Sequence, residues 1–329
     1  MDDPSATPYY ALDPNAVLQA VDSIGLITDG RQLALNSYEN RVYQVGIEDE
    51  TPVVAKFYRP GRWSDAQIIE EHAFTAELED EEIPVVGPLR INDATLHKHE
   101  GFRFALFPRR GGRAPELDDR DTLTWLGRFI GRIHAVGRAK KFEHRLALTI
   151  ERFGEESIDT INQGRWIAPH LETPFNSLAA DLLTQIRTCY ERAGQVRHIR
   201  LHGDCHPGNI LWRDGPIFVD MDDCQSGPAV QDLWMLLAGS RDEMSVQLGY
   251  VLEGYTQFCD FNHAELHLIE ALRSLRMLHH AAWLARRWED PAFPIAFPWF
   301  GEPRYWEDLV LGLREQLGAM QEAALSPAT

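Results

Sequence analysis

The chain has 329 residues, 44% apolar and 25% charged, and a formal net charge of −18. That length suits about two domains of roughly 150 residues, with ample material for a core. The acidic balance argues against a general binder of nucleic acid or of anionic membrane, because the long-range field repels polyanions; it suits solubility or a cationic partner.

The first ten residues, "MDDPSATPYY", are acidic with proline and no apolar stretch, so no signal peptide is read there. No apolar run approaches the ~20 residues of a membrane span. The expectation is a cytoplasmic protein. Its four cysteines, Cys189, Cys205, Cys224 and Cys259, form no C-x-x-C pair, which removes zinc ribbons and thioredoxin-type motifs and leaves reduced thiols. "PNAVLQAVDSIGL" predicts a short helix with Val17, Val21 and Ile24 on one face. "RQLALNSYENRVYQVGI" and "TPVVAKFYRP" are β-rich and joined by the acidic turn "EDET". "SDAQIIEEHAFTAELEDEE" predicts a helix capped by Ser64, and "GPLRI" and "GFRFALFP" are further strand candidates.

Past "PRRGG" the character changes. "RDTLTWLGRFIGRIHAVGR" is amphipathic through Leu123, Leu126, Ile130 and Ile133. Helices are predicted at "FNSLAADLLTQIRTCYERA", "AVQDLWMLLAGS", "MSVQLGYVLEGYTQFC", "HAELHLIEALRSLRMLHHAAWLARRWED" and "YWEDLVLGLREQLGAMQEAA". The fold class is α+β: a small β-rich lobe with one helix over residues 1–108, then a larger, mainly helical lobe over residues 109–329.

The stretch "RLHGDCHPGNILWRDGPIFVDMDD", from Arg200 to Asp223, carries the chemistry. A zinc site on His202 and His206 is disfavoured, because Gly203, Pro207 and Gly208 oppose the regular helix that would align them. Phosphoryl transfer fits better. Asp204 and Asn209 have the D-x-x-x-x-N spacing of kinase catalytic loops. The Asp accepts a hydroxyl proton beside the attacked phosphorus, and the Asn offers an amide oxygen to Mg²⁺. "ILW", "RDGP" and "IFVD" then read as a hairpin that brings Asp220 to the metal as a hard oxygen ligand. His202 and His206 read as structural loop residues, and Asp222 as either a second metal contact or a capping carboxylate. Lys56 in "VVAKFY" lies mid-strand, as the V-A-I-K lysine does, and Glu70 or Glu71 on the next helix is its candidate partner. "FALFP" before Gly-Gly, with Phe107 in it, reads as a hinge whose backbone could meet an adenine edge.

With these parts in place the chain resembles the protein-kinase-like fold in its aminoglycoside-phosphotransferase and choline-kinase branch, which carries H-G-D-x-H-x-x-N. Within it the chain is similar to bacterial stress-response Ser/Thr protein kinases, through "LNSYENRVYQ", "AKFYRPGRW", "LHGDCHPGNILWRDGP", "GPAVQDLWMLL" and "RRWEDPAFP" followed by "AFPW". The resemblance implies ATP and Mg²⁺, Asp204 as base, Asn209 and Asp220 as metal ligands, a Ser37 contact to ATP, and Asp232 as a brace of the catalytic loop. It also implies protein substrates with Ser or Thr acceptors. Two departures stand out. "LNSYENRV" replaces a glycine-rich loop, leaving Asn36, Ser37 and Asn40 as short polar donors, and no activation segment follows "VDMDD". A monomer is expected. The alternatives are a small-molecule kinase acting on a cationic metabolite or aminoglycoside, and a nucleotide-binding pseudokinase. Cys205 and Cys224, close in sequence to Asp204 and Asp220, are either buried inert thiols or a redox pair.

Overall fold

A computed structural model describes residues 9–328; residues 1–8, on which most of the signal-peptide reading falls, and Thr329 lie outside the described residues. The chain forms two compact units. The first runs to Pro115 and takes in Glu143–Arg145 and Gly208–Asp223; the second holds Glu116–Phe142, Leu146–Pro207 and the chain from Cys224 onward.

The first unit is built on an antiparallel sheet. Helix α1 (Pro14–Asp22) starts at Asp13, whose carboxylate accepts from the Ala16 N–H at 2.8 Å, and stops before Ile24. Strands β1 (Thr28–Ala34), β2 (Arg41–Ile47) and β3 (Val53–Phe57) precede α2 (Asp65–Asp80), which opens on a reciprocal cap between Ser64 and Gln67. Strands β4 (His97–His99) and β5 (Phe102–Pro108) complete the order β1-β2-β3-β5-β4 among the described residues. Side-chain alternation divides the faces. Ala55, Phe57, Phe104 and Leu106 pack with Val17 and Val21 of α1, whereas Ala105 packs with Ile68 of α2. Lys56, opposite Ala105 in the register, therefore falls on the α2 face.

"GPLRI" is not a strand. Pro88 has no N–H for a ladder, and the segment's link to β5 is the Leu89 N–H donating to the Leu106 carbonyl at 2.6 Å. The edge is formed instead by the polar "HKH" of β4, which has no apolar alternation to announce it.

In the second unit α3 (Arg120–Ala139) buries the stripe of Leu123, Leu126, Ile130 and Ile133. A π-helical turn (Glu151–Glu155), α4 (Glu156–Gln163) and α5 (Pro169–Ala193) follow. Strand β6 (Ile199–Leu201) leads into the Asp204 loop. The chain then passes through β7 (Ile210–Trp212) and β8 (Pro216–Phe218) of the first unit. It returns in β9 (Gln225–Gly227), which pairs with β6. Next come α6 (Gln231–Trp234), α7 (Arg241–Tyr255), α8 (Ile269–Arg287), α9 (Ala292–Ala296) and α10 (Pro303–Ala319). The "AVQDLWMLLAGS" helix thus shrinks to one turn, while α5 starts earlier than "FNSL". Helices α3 and α7 approach so closely that a Cβ on Gly127 or Gly254 would strike the other helix's backbone.

The β7–β8 hairpin, assigned by sequence to the helical lobe, packs with the sheet unit. Phe218 exchanges backbone hydrogen bonds with Pro84 (2.7 Å) and Val86 (3.0 Å), and Trp212 pairs with Arg113.

Candidate active site

In the helical unit, β6 delivers a tightly held loop. Asp232 on α6 accepts the N–H groups of His202 at 2.8 Å and Gly203 at 2.9 Å, and its carboxylate lies 3.0 Å from His134 Nε2. His134 is fixed in turn by the Tyr255 hydroxyl at 2.9 Å, and Gln231 donates to the Gly203 carbonyl at 3.1 Å. Gly203 has φ +85°, which favours glycine. The brace implied for Asp232 is present. His202 is fully buried, with its Nδ1 3.4 Å from the Asp204 N–H, which fits a structural role.

Asp204 projects from this loop. Its Oδ1 lies 2.5 Å from Arg276 Nη1 on α8 and its Oδ2 3.5 Å from His206 Nε2. Burial alone would raise its pKa. His206 and Arg276 outweigh burial and hold it well below the usual carboxylate range, so Asp204 is an anion. Cys205 beside it is fully buried. Burial first, then the charges of Asp232 and Asp204, push its thiol far up, which makes it a poor nucleophile. Cys224 is also buried, and all four cysteines are free thiols.

The sheet unit holds a second group. The Asn209 carbonyl accepts the Val219 N–H at 3.0 Å, so Asn209 and Asp220 leave the hairpin at the same end. Asp220 adopts φ +60°, a conformation that costs a non-glycine residue energy and turns its carboxylate toward Lys56, 2.8 Å away. Lys56 also reaches Asp222 at 3.3 Å. Burial alone would lower the Lys56 pKa; Asp220, Asp222 and Glu71 overcome it and raise it well above the ordinary value. Asp222 is enclosed. Arg62 pairs with it, Asn40 donates to it at 3.1 Å, and Arg145 donates to its backbone carbonyl. These cations outweigh burial and hold its pKa well below the ordinary range. Of the two readings for Asp222, an anchoring carboxylate fits this enclosure.

Glu70 and Glu71 separate cleanly. Glu70 caps the backbone N–H groups of Glu143, His144 and Arg145 (2.5, 2.9 and 2.6 Å). Glu71 points inward and is pushed up to about 7, chiefly by burial, with Lys56 pulling the other way. The ion pairs of Lys56 are with Asp220 and Asp222, while Glu71 acts on it through the field. Phe107 lies on the Lys56 face of β5, its ring centroid 6.0 Å from Nζ. Ser37 is half-buried in the turn between β1 and β2. Asn40, read as a phosphate donor, is instead occupied by Asp222 and by the Arg59 N–H at 3.2 Å.

Sequence reasoning gave no role to Arg276, Arg62, Arg145 or His134. The "AKFYRPGRW" segment contained Arg62, but a lone arginine carries no signal of its distant partner. Among the described residues no cluster of three or more His, Cys, Asp or Glu is arranged to hold a metal ion. No helix there is long and apolar enough to cross a membrane.

Residues 31–269 match the model of the APH phosphotransferase enzyme family. The chain is 43% identical over 321 residues to "Stress response kinase A" of Escherichia coli strain K12, covering 98% of this chain and 97% of that one. It is 42% identical over the same length and shares to "Serine/threonine protein kinase RdoA" of Salmonella typhimurium strain LT2. Among solved structures, amicoumacin kinase hAmiN in complex with AMP-PNP, Ca²⁺ and Ami shares the fold at TM-score 0.71 and 17% identity, over 94% of this chain and 95% of that one. A microcompartment-associated aminopropanol kinase does so at TM-score 0.70 and 16% identity, over 94% and 98%. The chain belongs to the phosphotransferase enzyme family and is a kinase, built from a five-stranded sheet unit and a helical unit.

Proposed function

We propose that the chain transfers the γ-phosphoryl group of ATP to a Ser or Thr hydroxyl of protein substrates in a bacterial stress response, acting in the cytoplasm as a monomer. The observation that carries this reading is the 43% identity over 98% of the chain to a kinase named for the stress response. Asp204 takes the acceptor's proton. Lys56, Ser37 and the Phe107 segment of β5 serve the nucleotide, and Glu71 supports Lys56. Asn209 and Asp220 would hold Mg²⁺: an amide oxygen and a half-exposed carboxylate at one end of a hairpin are the hard donors such a cation takes. Mg²⁺ supplies charge neutralisation on the phosphates, since these transition states need positioning and electrostatics more than covalent help.

The test is incorporation of label from ³²P-ATP with Mg²⁺, offered Ser/Thr peptides and hydroxylated amines side by side. Phosphoserine or phosphothreonine is the expected product. Label entering only the amines would replace this reading with a small-molecule kinase, and nucleotide binding without turnover would make the chain a pseudokinase.

A further inference from the structure

The loop that carries Asp204 borders a cavity of about 320 Å³ within the helical unit, with Trp234, Met235, Met244, His206, Arg273 and Arg276 in its wall. Both side chains that hold the Asp204 carboxylate, Arg276 and His206, line this cavity. Asp204 itself is not in the wall; it is one contact away, through these two side chains. The charged side chains of the lining are two guanidiniums, and no carboxylate is among the described residues that form it. Their carboxylate partners, Asp204 and Glu270, stand outside the lining.

The two arginines are not equivalent. Arg276 is committed to Asp204 at 2.5 Å. Arg273, one turn earlier on α8, has a longer ion pair among the described residues, 3.6 Å to Glu270 on its own helix. It also meets the Met244 sulfur at 3.6 Å and the Trp234 ring at 5.4 Å. These fix its direction and leave donors of its planar fork for an anion.

We propose that this cavity is the acceptor site and that it selects a Ser or Thr flanked by a carboxylate side chain, with Arg273 pairing that carboxylate and Arg276 positioning Asp204. This rests on the protein-kinase reading above and deepens it. In the step itself the acceptor oxygen forms a bond to the γ-phosphorus of ATP. The bond from that phosphorus to the leaving oxygen of ADP breaks, and the hydroxyl proton passes to Asp204. A cationic amine would meet Arg273 and Arg276 as like charges.

The experiment uses the full chain with MgATP and three matched peptides, a central Ser flanked by Glu, Gln or Lys. Wild type is expected to prefer the Glu peptide over the Gln peptide by about tenfold in kcat/KM, the scale of one charge-assisted hydrogen bond, and to serve the Lys peptide worst. Arg273→Gln should raise KM for the Glu peptide about tenfold, and Arg273→Glu should turn the preference toward the Lys peptide. Equal use of Glu and Lys peptides by the wild type overturns the proposal without any variant having to fold. A preference for Glu that survives Arg273→Glu also overturns it, by removing Arg273 as its source. Phosphorylation of hydroxylated amines but of no peptide overturns both this proposal and the protein-kinase reading.

Discussion

Each unit of the molecule holds a pair of carboxylates, and the pairs divide their labour alike but by different means. In the helical unit Asp232 is 1% exposed and Asp204 20%; in the sheet unit Asp222 is 3% exposed and Asp220 54%. Each pair thus has one buried anchor and one carboxylate nearer solvent. Asp232 is satisfied by backbone N–H groups and a histidine, and Asp222 by Arg62, Lys56 and Asn40. The first arrangement fixes a backbone path. The second ties a charge network to side chains from β3, from the segment after it and from the turn before β2. An acidic residue in a kinase motif is therefore not a ligand by default; burial and partner type decide which carboxylate remains available.

Asp204→Asn is the sharpest way to break the comparison. It should keep the loop, because Asp232 still holds it, and lower phosphoryl transfer by about 10²–10⁴-fold, the range of general-base contributions. A variant retaining more than about a tenth of the wild-type rate, measured with labelled ATP, would remove the base role. Next comes Asp222→Asn. Removing one partner of a buried ion network leaves Arg62 and Lys56 undercompensated and should cost about 3–5 kcal/mol of stability, read by urea unfolding. Asp220→Asn should behave oppositely, with a small change in unfolding but a Mg²⁺ requirement raised by about 10–100-fold, as for losses around a metal site. If Asp220→Asn unfolds the protein and Asp222→Asn alters only the Mg²⁺ titration, the assignment of anchor and ligand is reversed.

The sequence shows these features unevenly. The Asp204–Asn209 spacing and the apolar stripe of α3 are legible because they are local: a loop motif and a 3.6-residue period. Lys56 is legible as a mid-strand lysine on the face opposite Ala55 and Phe57, but its burial is not, since alternation gives a face and not a covering. The polar edge strand at His97–His99 is not, because register with β5 rather than composition makes it a strand. Nor is Arg276, whose link to Asp204 spans 72 residues. "VDMDD" announces three carboxylates but not which is enclosed. That depends on Arg62, Asn40 and Arg145, brought together only by the fold.

The last test concerns Glu71, and it asks whether Lys56 belongs to Asp220 and Asp222. Glu71 is buried, with one carboxylate oxygen lacking a hydrogen-bond partner, and its pKa rises from 4.5 to about 7. Burial is the main cause; Asp222 adds to it, while Lys56 and Arg145 oppose it. The folded state then binds this proton more tightly than the unfolded state does. The stability it contributes is fully present below pH 4.5 and is lost as pH rises through the window to about 7. Neighbouring His72, lowered by burial and by Lys56 to about 3, has the opposite slope between about 3 and 6.5, so wild type alone would show a mixture. Glu71→Gln keeps His72 and removes the Glu71 titration. Relative to that variant, the wild-type melting temperature should fall between pH 4.5 and 7 and run parallel outside it. Asp220→Asn should move the window downward, because an anion that raises the Glu71 pKa is gone and Lys56 is left less neutralised. Parallel curves across the whole range would mean that Glu71 stays ionised, and that Lys56 is shared with it rather than held by Asp220 and Asp222.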